Sequence, residues 1–202
     1  MKIGIMGGTF NPIHNGHLLI GEYSRTELAL NKVLYIPTGN PGHKPRKDVV
    51  SGRDRFKMVN LAIADNPYFE SSDIEVRRSG ITYTLDTILE LRRNHGEDLE
   101  IYFIMGEDSL FYLETWKGFS DLSKLCKFVV FKRKPGAGQE ILETIDYLNH
   151  KYGIGIIYLK SPLMEISSTD IRSRVEIGKS IKYQVPKEVE AYILEKKLYG
   201  VE

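Results

Sequence analysis

A short apolar run, Ile3 to Met6, leads directly into Gly7-Gly8-Thr9-Phe10-Asn11-Pro12-Ile13-His14-Asn15-Gly16-His17. The order strand, glycine-rich turn, helix constrains this chain more than any other feature, because it sets a turn at the carboxyl end of a strand. Two adjacent glycines let the backbone approach a phosphate with no side chain in the way. A helix opening near Asn15 turns its N–H groups and positive dipole end toward the same place. His14 and His17, three residues apart, share one face and can donate to the same phosphate oxygens. A second phosphate-like element lies far downstream, Ile166-Ser167-Ser168-Thr169-Asp170-Ile171-Arg172, where hydroxyls open a helix and an arginine follows one turn later.

Short β-branched runs alternate with amphipathic stretches along the rest of the chain, which predicts a parallel α/β sheet. Strands are expected at Lys2 to Met6, Val33 to Ile36, Phe69 to Val76, Glu100 to Met105, Lys127 to Phe131 and Gly155 to Leu159. Helices are expected at Gly16 to Leu30, Gly52 to Asp65, Leu85 to Asn94 and Gln139 to Tyr152, with Ser51 as an N-cap and Gly96 just past a C-terminus. A last helix starts at Pro186 and sets Val189, Ile193 and Leu194 on one face. Two segments, 37–50 and 107–118, fit no element. Both follow strands, where ligands of open α/β sheets bind.

A chain of 202 residues with 42% hydrophobic content suits one domain with a good core. Its net charge of +1 supplies no field for nucleic acid or a membrane surface. The single cysteine, Cys126, excludes an internal disulfide, and no apolar leader or 18-residue apolar run is present. The expected location is the cytoplasm.

Each motif has a plainer alternative. His14, His17 and His43 could hold zinc, but no cysteine accompanies them and zinc needs no glycine turn. The absence of G-x-G-x-x-G argues against a dehydrogenase, and Gly178-Lys179-Ser180 reads as a helix end rather than a Walker loop. Ser167 to Thr169 could simply cap a helix, and Trp116 could be core. Arg53, Arg55 and Lys57 are expected on a helix surface. His95 and His150 fall near helix C-termini and carry no assignment.

H-x-G-H near the start and I-S-S-T-x-I-R near the end, with Pro41-Gly42-His43-Lys44, Tyr83-Thr84-Leu85-Asp86-Thr87 and Gly106-Glu107-Asp108 followed by Trp116 between them, resemble the nicotinate-nucleotide adenylyltransferase family. The likeness covers nearly the whole chain. It implies a Rossmann-like, doubly wound, mostly parallel sheet with helices on both faces. It also implies one nucleotidyltransferase domain over 1–202, on which a helix at about 166–177 and a final helix at about 186–198 pack. The implied reaction moves an adenylyl group from ATP, carried with Mg²⁺, to nicotinate mononucleotide, with no metal held by the protein itself.

By this resemblance His14, His17, Lys44 and Arg172 are catalytic. ATP contacts fall to Gly7, Gly8, Thr9, Phe10, Gly106, Asp108, Ile166, Ser167, Ser168 and Thr169. The mononucleotide falls to Thr84, Trp116, Lys117 and Arg133. Gly42, Glu107 and Lys117-Gly118-Phe119 depart from the usual pattern and bear on the shape of the pyridine pocket. Rival readings are nicotinamide mononucleotide or phosphopantetheine as acceptor, a catalytically silent nucleotide-binding regulator, and a class I aminoacyl-tRNA synthetase fragment. A homo-oligomer is compatible with the sequence, but no residue identifies its surface.

Overall fold

Strand and helix alternate as expected in a computed structural model of the chain, which describes residues 1–40, 49–132, 138–162 and 165–200. The strands are β1 (Lys2–Gly8), β2 (Lys32–Pro37), β3 (Phe69–Ser71), β4 (Glu100–Gly106), β5 (Lys127–Phe131) and β6 (Ile156–Leu159). The helices are α1 (Asn15–Glu27), α2 (Gly52–Ile63), α3 (Thr84–His95), α4 (Glu107–Leu110), α5 (Phe119–Leu125), α6 (Gly138–Tyr152), α7 (Ser168–Glu176) and α8 (Lys187–Glu195), with 3₁₀ turns at Leu113–Thr115 and Leu198–Gly200.

The six strands form one sheet in the order β3-β2-β1-β4-β5-β6. The sheet therefore grows one way through β2 and β3 and the other way from β4, the doubly wound arrangement, with its switch point between β1 and β4. Lys2 lies opposite Glu100 and Met6 opposite Ile104 in parallel register, and β4–β5 and β5–β6 are parallel too. Ile101 to Met105 are buried without interruption. Successive side chains of a strand point to opposite faces, so both faces of β4 are covered.

Two compact units make up the chain. The first joins Met1–Gly7, Ile20–Val33 and Tyr83–Glu165, and the second joins Gly8–Leu19, Leu34–Thr82 and Ile166–Glu202. In the first, Gly4 lets β1 approach its neighbours closely, since a Cβ there would stand 2.9 Å from both Ile104 Cδ1 and Leu30 Cδ1. Arg92 ties α3 to the strand ahead by donating to the carbonyls of Glu97, Leu99 and Leu125.

Local chemistry set most boundaries. Ser51 caps α2 by accepting from Asp54 N at 3.1 Å, Gly96 ends α3 at φ 91°, and Gly178 follows the end of α7 at φ 68°. Four expectations change. Strand β3 stops at Ser71 rather than Val76, because residues 73–78 coil into a turn with Arg77 N–H donating to Asp73 O and Arg78 N–H to Glu75 O. Helix α1 stops at Glu27 rather than Leu30, and Ala29 takes a left-handed φ of 49° while Leu30 N–H returns to Arg25 O. Segment 107–118 is not a bare loop, since it holds α4 and a 3₁₀ turn, and α5 follows it. Leu194 is 52% exposed, so the buried face of α8 is Val189 and Ile193 alone.

Cys126 ends α5 inside the first unit, with its thiol against Leu122 O at 3.5 Å. Burial pushes this thiol up to about 12, more than the nearby Arg92 charge pulls it down. An acid whose folded pKa is raised loses stability as pH climbs through the unfolded value, about 8.5. We expect the native thiol to resist a disulfide reagent at pH 8 and to react fully in denaturant. Rapid labelling of the native protein would contradict this burial.

Candidate active site

In the second unit, the turn after β1 is held by its carbonyls. Gly8 O accepts from Thr38 N at 2.8 Å and Thr9 O from Arg55 Nη1 at 2.8 Å. Asn11 O accepts from Arg172 Nη1 at 2.9 Å, and Pro12 O from Ser168 Oγ at 2.8 Å. A trans peptide points its C=O and N–H in opposite directions. The N–H groups of Thr9, Phe10 and Ile13 thereby point away from the donors held by Gly8 O, Thr9 O and Pro12 O and suit an anion, while the Asn11 carbonyl precedes Pro12 and has no N–H across its peptide. Phe10 bends the array with a left-handed φ of 48°. Its ring is buried edge-on to His17, 5.0 Å between centroids, and a Cβ on Gly8 would meet it at 3.3 Å.

His14 and His17 stack at the start of α1, 3.7 Å between centroids and 27° between planes. The His14 N–H donates to His17 Nδ1 at 3.2 Å. A neutral imidazole that accepts at Nδ1 carries its proton on Nε2, so the far nitrogen of His17 is a donor. Gly16 belongs to this geometry, because a Cβ there would stand 3.1 Å from His14 Nδ1. Asn15 anchors the helix start, with N–H to Gln184 O at 2.9 Å and Nδ2 to Tyr183 O at 2.6 Å.

Helix α7 brings the downstream motif to the same turn. Ser167 is its N-cap, accepting from Asp170 N at 3.1 Å, and the Ser168 hydroxyl goes to Pro12. Arg172 is half-buried, with Nη1 on Asn11 O and Nη2 3.4 Å from Thr169 Oγ1. Both serine hydroxyls thus brace protein, which leaves the first N–H groups of α7 and the Arg172 cation as the anion-directed parts of this element.

Arg55 corrects an expectation. It is 1% exposed rather than on a helix surface, while Arg53 and Lys57 are exposed as read. A buried guanidinium needs partners. Arg55 has carbonyls at Thr9 (2.8 Å), Gly39 (3.1 Å) and Val50 (3.2 Å). Burial pulls its pKa below the ordinary value, against the opposing influence of Tyr199 and Glu75. Periodicity could have found it, since Arg55 precedes Met58, Val59 and Ala62 on the buried stripe of α2. Asn11 and Tyr199 were also missed. Asn11 Oδ1 accepts from Val50 N at 3.2 Å and from Tyr199 Oη at 3.0 Å.

The first unit holds the remaining described candidates. Gly7 is the last β1 residue in that unit, and Gly106 and Asp108 lie where β4 enters α4, Asp108 exposed in the first turn. Glu107 is 3% exposed at the N-terminal end of α4, where a carboxylate meets the positive end of backbone dipoles. Trp116 is half-buried rather than core, its ring set edge-on to Phe103 at 5.5 Å. Thr84 opens α3 without capping it, and Lys117 Nζ lies 4.1 Å from the centroid of the Tyr83 ring. Lys44 and Arg133 lie outside the described residues.

Residues 5–174 match the cytidylyltransferase-like family. Over 199 residues, 98% of this chain and 94% of the relative, it is 45% identical to a Thermoanaerobacter protein named probable nicotinate-nucleotide adenylyltransferase. The chain belongs to the nicotinate-nucleotide adenylyltransferase family. A Moorella thermoacetica relative of the same name is 42% identical, covering 98% of this chain and 91% of its own. Among solved structures, the Plasmodium falciparum nicotinic acid mononucleotide adenylyltransferase complexed with NaAD superposes with a TM-score of 0.80 at 19% identity, over 100% of this chain and 98% of that one. That likeness speaks for the Rossmann-like fold.

Within a nicotinate-nucleotide adenylyltransferase fold, the turn, the histidine pair and the head of α7 converge in one unit with two arginines of different standing. Arg172 is half-buried and Arg55 enclosed, and both donate to carbonyls of the turn.

Proposed function

We propose that this chain joins ATP to nicotinate mononucleotide, giving deamido-NAD and pyrophosphate. What carries this reading is the inward clamping of the carbonyls of Gly8, Thr9, Asn11 and Pro12, which leaves a donor array beside His17 and Arg172. A 5′-phosphate oxygen of the mononucleotide forms a bond to the α-phosphorus of ATP, the bond from that phosphorus to the bridging oxygen breaks, and pyrophosphate leaves with the electron pair. The nucleophile is already an anion, so no side chain has to take a proton. Alignment and neutralisation of charge on five-coordinate phosphorus then supply the rate.

The His17 Nε2 donor and its His14 neighbour serve the α- and β-phosphate oxygens. Gly7, Gly8, Thr9 and Phe10 follow ATP with their backbone, and Ile166 to Thr169 with Arg172 take the β- and γ-phosphates. Lys44 is a further cation in this reading. Asp108 serves the ribose hydroxyls at the end of β4, beside Gly106. Trp116 offers its face to the pyridinium. Thr84, backbone near Lys117, and Arg133 serve the mononucleotide, and the Lys117 ammonium beside Tyr83 favours a carboxylate over an amide.

Mg²⁺ enters with ATP. We expect the ion to stay on the phosphates and keep much of its water. Mg²⁺ would neutralise the leaving pyrophosphate. No helix among the described residues is long and apolar enough to cross a membrane. We place the reaction in the cytoplasm, on small molecules rather than nucleic acid.

Pyrophosphate release with Mg-ATP and nicotinate mononucleotide, nicotinamide mononucleotide or phosphopantetheine in parallel tests the acceptor. We expect strong preference for the nicotinate form, and turnover with phosphopantetheine alone would overturn the pocket assignment. Loss of one preorganised donor costs about 10²–10³ in rate. His17→Ala is expected to lose that much kcat and keep its circular dichroism and melting temperature. Near-wild-type kcat would sink the role of His17.

A further inference from the structure

The last turn of the chain bears on the site in a way that its sequence position does not suggest. Tyr199 sits in the 3₁₀ turn after α8, yet its hydroxyl donates to Asn11 Oδ1 at 3.0 Å. Asn11 is 4% exposed and is held three ways. Its side-chain oxygen takes Tyr199 and the Val50 N–H, and its carbonyl takes Arg172. Two residues earlier, Thr9 O takes the buried Arg55. Arg55 and Arg172 both act on the Tyr199 hydroxyl electrostatically, while burial pushes its pKa above the ordinary value, so it stays a neutral donor.

The backbone is strained to bring this about. Lys197 and Tyr199 adopt left-handed φ values of 50° and 63°, and Gly200 follows at 84°. Non-glycine residues persist there where surrounding contacts over-determine them. Here the aimed group is the phenol, and its target is the turn that presents the phosphate donors.

We propose that Tyr199 is a positioning residue of the phosphate site: the end of the chain is a strut that fixes Asn11 and thereby the donor array at Thr9 to Ile13 and the seat of Arg172. It touches no reacting atom. The inference rests on the adenylyl-transfer reading for its catalytic readout and on backbone geometry for its structural one.

Tyr199→Phe removes the hydroxyl and keeps the ring. We expect kcat to fall about tenfold, the scale of one lost hydrogen bond at a buried acceptor, with KM for ATP and mononucleotide within about twofold. Amide hydrogen exchange at Val50, whose N–H donates to Asn11 Oδ1, should quicken by a similar factor. Val189→Ala, which truncates a fully buried side chain of α8, serves as the stability control. It should lower the melting temperature at least as much and leave kcat at 25 °C and exchange of the Val50 amide unchanged.

Wild-type kcat in Tyr199→Phe overturns the proposal, as does an equal loss of kcat in Val189→Ala. A wild-type chain that releases no pyrophosphate with any of the three acceptors refutes the function reading instead. Exchange of the Val50 amide then still decides the strut, and an unchanged rate in Tyr199→Phe overturns it.

Discussion

Four hydrogen bonds into the carbonyls of Gly8, Thr9, Asn11 and Pro12 are the interaction on which the site depends. The donors come from three parts of the second unit: Thr38 after β2, Arg55 on α2, and both Arg172 and Ser168 on α7. Peptide geometry then turns the N–H groups of Thr9, Phe10 and Ile13 away from the donors that hold Gly8 O, Thr9 O and Pro12 O. Without the grip, a turn of this kind would present a mixture of donors and acceptors, and a triphosphate would meet as much repulsion as attraction. The glycine-rich sequence permits the turn, but distant residues decide which way its dipoles point.

The cationic residues divide along the same line. Arg55 is enclosed and satisfied by three carbonyls, so its charge is held as structure beneath the turn. Removing one partner from such a group leaves a buried charge unpaired, which is why its three acceptors matter more than the net energy of any one bond. Arg172 is half-buried and fixed by Asn11 and Thr169. Of the stacked imidazoles, His17 offers an Nε2 donor because its Nδ1 accepts the His14 N–H. A site of preset donors and fixed positive charge suits phosphorus chemistry in which the attacking group needs no activation.

The β1 turn, the histidine pair and the α7 motif were legible because strand, glycine, helix cap and i,i+3 spacing are local signals. Ser51 and Gly96 were readable for the same reason. What local reading missed involves long sequence separation. Tyr199 meets Asn11 across most of the chain, and Arg55 looked like surface because arginine usually is, although its place on the apolar stripe of α2 marked it. The short α4 and the 3₁₀ turn at Leu113–Thr115 lack enough residues to show a helical period. Ser168 was read as a phosphate ligand, and its hydroxyl lies on Pro12, a partner that only the folded chain supplies.

In the proposed reaction the chain aligns two phosphates and contributes no covalent nucleophile or essential base. The most direct test is the stereochemical course at the α-phosphorus, with ATP made chiral by sulfur and an oxygen isotope at that position and nicotinate mononucleotide as acceptor. A single in-line displacement predicts inversion of configuration in the dinucleotide. Retention would require two displacements through an adenylylated side chain and would contradict the account.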